Sequence, residues 1–323
     1  MATTPPAQGL LTIDPTPFRL RLEHAKPRAE PSTPVGLDAV LADLDRRIRP
    51  FGRGLGAPWA ARRAHGLRGG FRWDAEDCRT KAWYPQGIAV SRDGRIVLVS
   101  WYHKASNAAR VSCVDVAGAR YRHVRLTTAA GEPVRSHAGG LAWRDDLLYV
   151  TDTKTGLRLF DVTRALRTAA AGDERYALPE TGRYRTDGGG LRFSYASVDT
   201  AADSLLVGEY VRDAPGARVA RWPFAAGGLL AQEPASNAWV TAHSNLQGAL
   251  ALPDRLLLAE SRGERLPGRL HASPYAETAE RRRWAVGGED LALSGDEVLS
   301  LSEHRDFPWP LPRRRTVFRV AAP

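Results

Sequence analysis

The chain has 323 residues, 43% hydrophobic and 25% charged, with 30 Gly and 22 Pro, a balance that suits one large folded domain rich in turns. Its formal net charge of +10 comes almost wholly from arginine, lysine standing only at Lys26, Lys81, Lys104 and Lys154, which reads as compositional bias and leaves nucleic acid out of the expected partners. No run of about 18 apolar residues occurs and no basic-then-apolar export pattern opens the chain, so no membrane partner is expected; the localisation expected is cytoplasmic, or secreted if a leader has been removed.

Residues 1–80 read as an arm. "PFRLRLEH" alternates as a strand does, and "GLDAVLADLDRRI" places Leu37, Val40, Leu41, Leu44 and Ile48 at helical spacing behind Pro34. Cys78 and Cys113 lie far apart and form no zinc pattern, leaving buried thiols or a single disulfide. The arginine runs at 281–283 and 313–315 are expected at solvated strand edges.

From residue 81 to 323 one unit recurs about every 40 to 57 residues. Its first strand and turn appear as "YPQGIAVSRDG", "HAGGLAWRDD", "SYASVDTAAD", "NLQGALALPD" and "GGEDLALSGD". A second strand follows in "RIVLVSWYH", "LLYVTDT", "SLLVGEY", "RLLLAES" and "EVLSLSEH", then a third, and where room remains a fourth. Short antiparallel strands at this period predict an all-β fold, a single β-propeller of four-stranded blades. Five blades are expected, or six if residues 1–80 hold a divergent one. The last unit stops after "TVFRV", so "PFRLRLEH" is expected to supply its outer strand and close the ring.

Superposing the units on a small residue of the first strand aligns Gly87, Gly140, Ser197, Gly248 and Asp290, preceded by Gln86, Gly139, Ala196, Gln247 and Glu289. First strands line a propeller's channel, so these positions are expected at its mouth. The ends of the second strands, Trp101, Asp152, Glu209, Glu260 and Glu303, return to the same side and predict an acidic face. Grouped carboxylates shift one another's pKa, which suits general acid/base work. The expected catalytic set is His137, Glu209, Glu260, Glu303, Asp152 and Tyr102. Substrate contacts are assigned to Gln86, Trp101, Gln247, Glu289, Asp290, Tyr210 and His304. The competing reading is structural, because acidic residues after strands also bind loop amides. No nucleophile elbow, HExxH, P-loop or dinucleotide fingerprint is present, which sets serine-hydrolase, zincin, phosphoryl-transfer and nicotinamide chemistry aside.

The phrases "WYPQG", "SWYHK", "RVSCVDV", "YRHV", "HAGGL" and "GEDLAL" resemble a group of actinobacterial propeller-type proteins, generally described as secreted or hypothetical, over about residues 71 to 320. More distantly, the channel-mouth design is similar to that of gluconolactonase and strictosidine-synthase-like propellers. That likeness implies a site at the central mouth whose carboxylates hold calcium or act on an amine-bearing substrate, although architecture alone does not fix function. The expectation is a monomeric small-molecule enzyme of specialised metabolism, a hydrolase or a cyclase/lyase that opens a lactone or ester or closes a ring without an organic cofactor, with a calcium ion at the mouth as an option. The alternative is a non-catalytic propeller that binds a ligand or protein on the same face.

Overall fold

The computed structural model describes residues 6, 9–26, 33–186, 190–275, 280–307 and 313–323. These residues form five antiparallel units of a β-propeller. Blade 1 comprises Trp83–Val90, Ile96–His103, Ala109–Asp115 and Arg120–Thr127. Blade 2 comprises Leu141–Arg144, Leu147–Asp152, Gly156–Asp161 and Tyr176–Thr186. Blade 3 runs Tyr195–Asp199, Ser204–Gly208, Arg218–Pro223 and Asn237–Thr241. Blade 4 runs Leu246–Leu252, Arg255–Glu260, Pro267–Pro274 and Glu280–Val286. Blade 5 takes Gly288–Ser294, Glu297–Ser302 and Thr316–Ala321 from the C-terminus.

The innermost strands touch in sequence, blade 1 to 2, 2 to 3, 3 to 4, 4 to 5 and 5 back to 1, so the ring is closed. Five apolar clusters hold it, each between two neighbouring blades. Leu98, Val111 and Phe160 meet between blades 1 and 2, Tyr149, Leu205 and Trp222 between blades 2 and 3, and Leu206 and Leu258 between blades 3 and 4. Leu257, Leu291 and Phe318 fill the space between blades 4 and 5, and Val99, Trp101 and Leu301 that between blades 5 and 1. Each blade thus buries both faces only through its neighbours, as alternating apolar strands on two-sided sheets require.

The closing strand is not the one the alternation suggested. Leu20–His24, from "PFRLRLEH", pairs antiparallel with Tyr176–Thr186 on the outside of blade 2. Blade 5 is completed by Leu67–Arg72, whose Leu67 to Phe71 pair with Val320 to Val317. The segment "LRGGFR" hides its strand behind two glycines, and both are required there: a Cβ on Gly70 would lie 2.2 Å from the Val317 carbonyl oxygen and one on Gly69 2.6 Å from that of Phe51. Two further N-terminal pieces extend sheets at their rims, Leu10–Ile13 beside Asn237–Thr241 and Arg49–Gly52 beside Leu67–Arg72.

The expected helix is one short turn and a half, Gly36–Leu41, with Val40 buried and Leu44 and Ile48 packing beyond it in irregular chain. Cys78 and Cys113 are both buried and unpaired by disulfide, and burial pushes each thiol up to about 12. The 313–315 run is not a solvated edge. Arg314 and Arg315 are buried, and Arg315 donates to the carbonyl oxygens of Glu303 (2.9 Å) and Asp77 (2.7 Å), pinning blade 5 to the arm.

Two truncations separate the closing strand from the rim strands. Removing residues 1–26 is expected to leave a folded, closed ring with a lowered melting temperature. Removing residues 1–72 strips Thr316–Ala321 of its partner, exposes an apolar edge and should give aggregated protein. Size-exclusion chromatography and circular-dichroism melts read both; a soluble, cooperatively melting 73–323 fragment would refute the closure.

Candidate active site at the channel mouth

The cavity at the mouth measures about 1020 Å³ and is lined from every blade. Strand register decides which side chains reach it. Opposite Ile88, Leu141, Ala196, Ala249 and Leu291 of the inner strands stand Val99, Val150, Val207, Leu258 and Ser300 of the second strands. Two residues on, the equivalent positions are Trp101, Asp152, Glu209, Glu260 and Ser302. Glu303 therefore lies one residue beyond the register assigned from sequence, and a one-residue step reverses the side a strand residue faces.

The four in-register groups turn toward their own blade's third strand. Asp152 Oδ2 accepts from Arg158 Nη2 at 2.8 Å. Glu209, 5% exposed, accepts from Arg218 Nη2 (2.6 Å) and Nε (2.8 Å) and from the backbone amides of Arg192 (2.9 Å) and Arg218 (3.0 Å). Glu260 is held by Arg269 (3.3 Å) and by His271 Nε2 (2.8 Å), whose hydrogen bond and charge outweigh burial and lower its pKa. His271 in turn stacks on His243, ring centroids 3.7 Å apart, and burial with that neighbour lowers His243 to about 4. These carboxylates tie strands together, so the acidic face expected from their alignment is corrected. Asp152 and Glu260 still touch the cavity wall, whereas Glu209 does not line it.

Trp101 is corrected as well. It is fully buried, and its Nε1 donates to Ser112 Oγ at 2.7 Å. Ser112 Oγ meets His123 Nδ1 at 2.9 Å, and His123 Nε2 meets Asp77 Oδ2 at 2.8 Å. Ser, His and Asp stand here in catalytic order but serve a structural end: all three are buried, Arg110 pairs with Asp77 at 2.9 Å, and none lines the cavity. Burial lowers the His123 pKa, so with the imidazole uncharged the donors run from Trp101 through Ser112 and His123 to Asp77. No repeat or motif marks this chain in the sequence, because Asp77 comes from the short helix Ala75–Arg79 of the arm.

The residues that follow the in-register set, Tyr102, Thr153, Tyr210, Ser261 and Glu303, line the cavity. Facing them are Gln86 and Gln247 of the inner strands and Gly139 and Ser194 just ahead of two others. In blade 3 the inner-strand register also differs by steps from the sequence alignment, with Ser194 rather than Ala196 at the wall. Gln86, Gln247 and Glu289 each sit where an extra residue breaks the ladder to the second strand. Such bulges re-aim a side chain, which is why polar groups stand inside otherwise apolar strands.

Their bonds form the floor. Gln86 Nε2 donates to Glu303 Oε2 (2.9 Å), and Gln247 Nε2 donates to Glu289 Oε1 (3.3 Å). Glu289 is 2% exposed, and burial, then the charges of Glu303 and Asp290, raise its pKa well above the carboxylate range, so it is a neutral acid beneath the floor. Asp290, expected as a substrate contact, is fully buried on the axis; its Oδ2 accepts from the amides of Leu141 (3.0 Å) and Ile88 (3.2 Å). Above the floor, His137 lies with its ring centroid 4.3 Å from that of Tyr102. His137 is exposed to the cavity, and the protein packed around its base lowers its pKa against the opposing pull of Glu303; burial, reinforced by Glu303, pushes the Tyr102 phenol up to about 12. Tyr210 donates to Asn245 Oδ1 (3.3 Å), and His304 stands 3.6 Å from Glu303.

The carboxylates do not fit a calcium cage. Three of them carry Arg or His donors, Glu303 carries an amide donor, and among the described residues no group of three or more His, Cys, Asp or Glu is placed to hold a metal. Among the described residues, too, no helix is long and apolar enough to cross a membrane.

No family model and no curated protein matches the chain. Solved structures do. A gluconolactonase from Xanthomonas campestris is 13% identical over 92% of this chain and 100% of its own, with a TM-score of 0.39. A GH43_1 enzyme from Xanthomonas citri is 13% identical over 76% and 89%, at 0.40, and the Dos1 propeller 12% identical over 81% and 70%, at 0.34. These likenesses are distant, and the propeller assignment rests on the strand topology above.

Two substitutions divide floor from wall. Because the folded pKa of Glu289 lies above its unfolded value of about 4.5, the contribution of this one residue to stability is fully present below about pH 4.5 and is lost as pH rises through the folded pKa. Glu289→Gln should therefore melt higher than the wild type at pH 8, with the gain gone at pH 4. Glu209→Gln leaves Arg218 half-paired at a partly buried site and should cost about 2 kcal/mol, between the values for exposed and buried pairs. Thermal melts across pH settle both, and a destabilising Glu289→Gln at pH 8 would overturn the neutral-acid assignment.

Proposed function

We propose that the mouth is the active site of a hydrolytic enzyme acting on a small ester or lactone. The observation that carries this reading is the His137–Tyr102 pair: an imidazole whose lowered pKa favours the free base, beside a phenol kept protonated, in a cavity large enough for a metabolite. No hydrogen bond to either ring's polar atoms is formed among the described residues, so both are open to a ligand.

In this reading His137 takes a proton from a water molecule as its oxygen adds to the substrate carbonyl carbon. The Tyr102 hydroxyl donates a hydrogen bond to the carbonyl oxygen as negative charge gathers there. The acyl C–O bond then breaks, and the leaving oxygen takes the proton back from the His137 imidazolium, giving an acid and an alcohol, or a hydroxy acid from a lactone. Glu303, held by Gln86, faces the imidazolium as it forms. Asp152, Glu209 and Glu260 have no part in the chemistry, being committed to their own blades.

The test is hydrolysis of a panel of 4-nitrophenyl esters and simple lactones. His137→Ala should lower kcat/KM by about 10²-fold or more, and Tyr102→Phe by about 10²-fold, with melting temperatures unchanged. The pH profile should rise through an imidazole pKa below its ordinary value of about 6.5, then stay flat through neutrality, since Tyr102 ionises only near 12. Binding without turnover of any ester would leave a ligand-binding propeller in its place, and turnover indifferent to both substitutions would remove these residues from the site.

A further inference from the structure

The wall above the floor has a sign that the in-register carboxylates concealed. Arg135, Lys154, Arg192, Arg212 and Arg262 all line the cavity, all are exposed, and none makes an ion pair among the described residues. Of the four carboxylates lining it, Asp152 and Glu260 are neutralised by Arg158 and Arg269 from behind the wall. Only Asp213 and Glu303 remain without an arginine, so positive charge is in excess.

The placement follows the fold. The hairpin between second and third strands carries a cation two or three residues past the in-register position (Trp101, Asp152, Glu209, Glu260 or Ser302) in every blade: Lys104, Lys154, Arg212, Arg262 and Arg305. Unpaired like charges around one concavity repel one another, a strain that an anion inside it relieves and that low-dielectric walls amplify. Arg192 lines the same cavity as His137, and its charge is felt by the imidazole.

We infer that the funnel takes a small organic anion, one bearing two or more carboxylate or phosphate groups, with Arg192 holding an anionic group beside His137 and the hairpin cations of blades 2 to 4 holding the remainder. This rests on the mouth being a small-molecule site but not on hydrolysis taking place there. The cations face into a concavity and not across a flat surface, which favours a compact ligand over a polyanionic chain.

Isothermal titration calorimetry at low ionic strength with citrate and with glucose 6-phosphate, against glucose as the neutral partner, reads anion binding without turnover. Binding of at least one of the two anions and none of glucose is expected, weakened about 10-fold or more by Arg192→Gln and further by Arg192→Gln with Arg212→Gln and Arg262→Gln, and weakened for the wild type by raising salt to 0.5 M. Comparing 4-nitrophenyl acetate with mono-4-nitrophenyl succinate adds the second reading: the succinate should have the higher kcat/KM, and the ratio of the two esters' kcat/KM should fall toward one in the triple variant.

Anion binding without ester turnover sustains the inference and ends the hydrolase reading. Ester turnover without anion binding or anionic preference does the reverse. Failure of both anions to bind, equal affinity for glucose, or binding only of a long polyanion such as heparin overturns the inference, as does a triple variant with unchanged affinity.

Discussion

Everything in this molecule depends on how closely five strands approach one axis. At that distance there is no room for side chains: a Cβ on Gly140 would lie 2.2 Å from the Ala196 amide nitrogen, and one on Gly87 2.7 Å from the Gly140 carbonyl carbon. Backbone meets backbone, and the amides pointing inward need an acceptor. Asp290 supplies it, a single carboxyl taking N–H groups from blades 1 and 2 on one oxygen. Burial raises its pKa while those same amides lower it, so its charge state and the tightness of the ring are set by one contact. A larger or apolar residue would either open the axis or leave amides unbonded in the interior, at about 1–3 kcal/mol for each.

The tight axis also builds the site. An inner strand that must run as bare backbone past its neighbours can present side chains only above that point, and three of the five do so by a bulge that turns Gln86, Gln247 or Glu289 inward. Below the axis the channel opens again into a separate cavity of about 560 Å³ walled by Ile88, Leu141, Val198 and Leu291. The closed middle keeps the two ends separate, the funnel above and, below, a recess whose lining mixes these apolar residues with Arg92, Arg144, Asp145 and Asp203.

The repeat, the all-β class and the identity of the inner strands were legible because hairpin turns and alternation are local signals. Gln86, Gln247 and Tyr102 were legible as mouth residues for the same reason. Register was not. A strand's facing is decided by one residue, and the one-residue step that puts Glu303 out of line with Glu260 leaves no mark on composition; five acidic or aromatic strand ends looked equivalent when four of them face a third strand and the fifth faces water. The arginines that neutralise Asp152, Glu209 and Glu260 come from later strands, a pairing visible only once sheets are assembled. Leu67–Arg72 escaped notice because glycine is read as loop, whereas here it is what lets a strand fit between two others.

The blade that closes the ring joins Leu67 to Val320, positions almost the whole chain apart. During synthesis the early strand leaves the ribosome long before its partner is made, and blades 1 to 4 stand as an open arc with an uncovered apolar face at each end. Contacts of such sequence separation form slowly, because a long loop must close before any of them is rewarded. The arm that wraps blades 1 and 2, with Arg46 clasped by Asp74 (2.7 Å) and Asp173 (3.2 Å), covers part of that arc from the N-terminal side. It is in effect a built-in escort, holding the early strand in place until the last residues arrive.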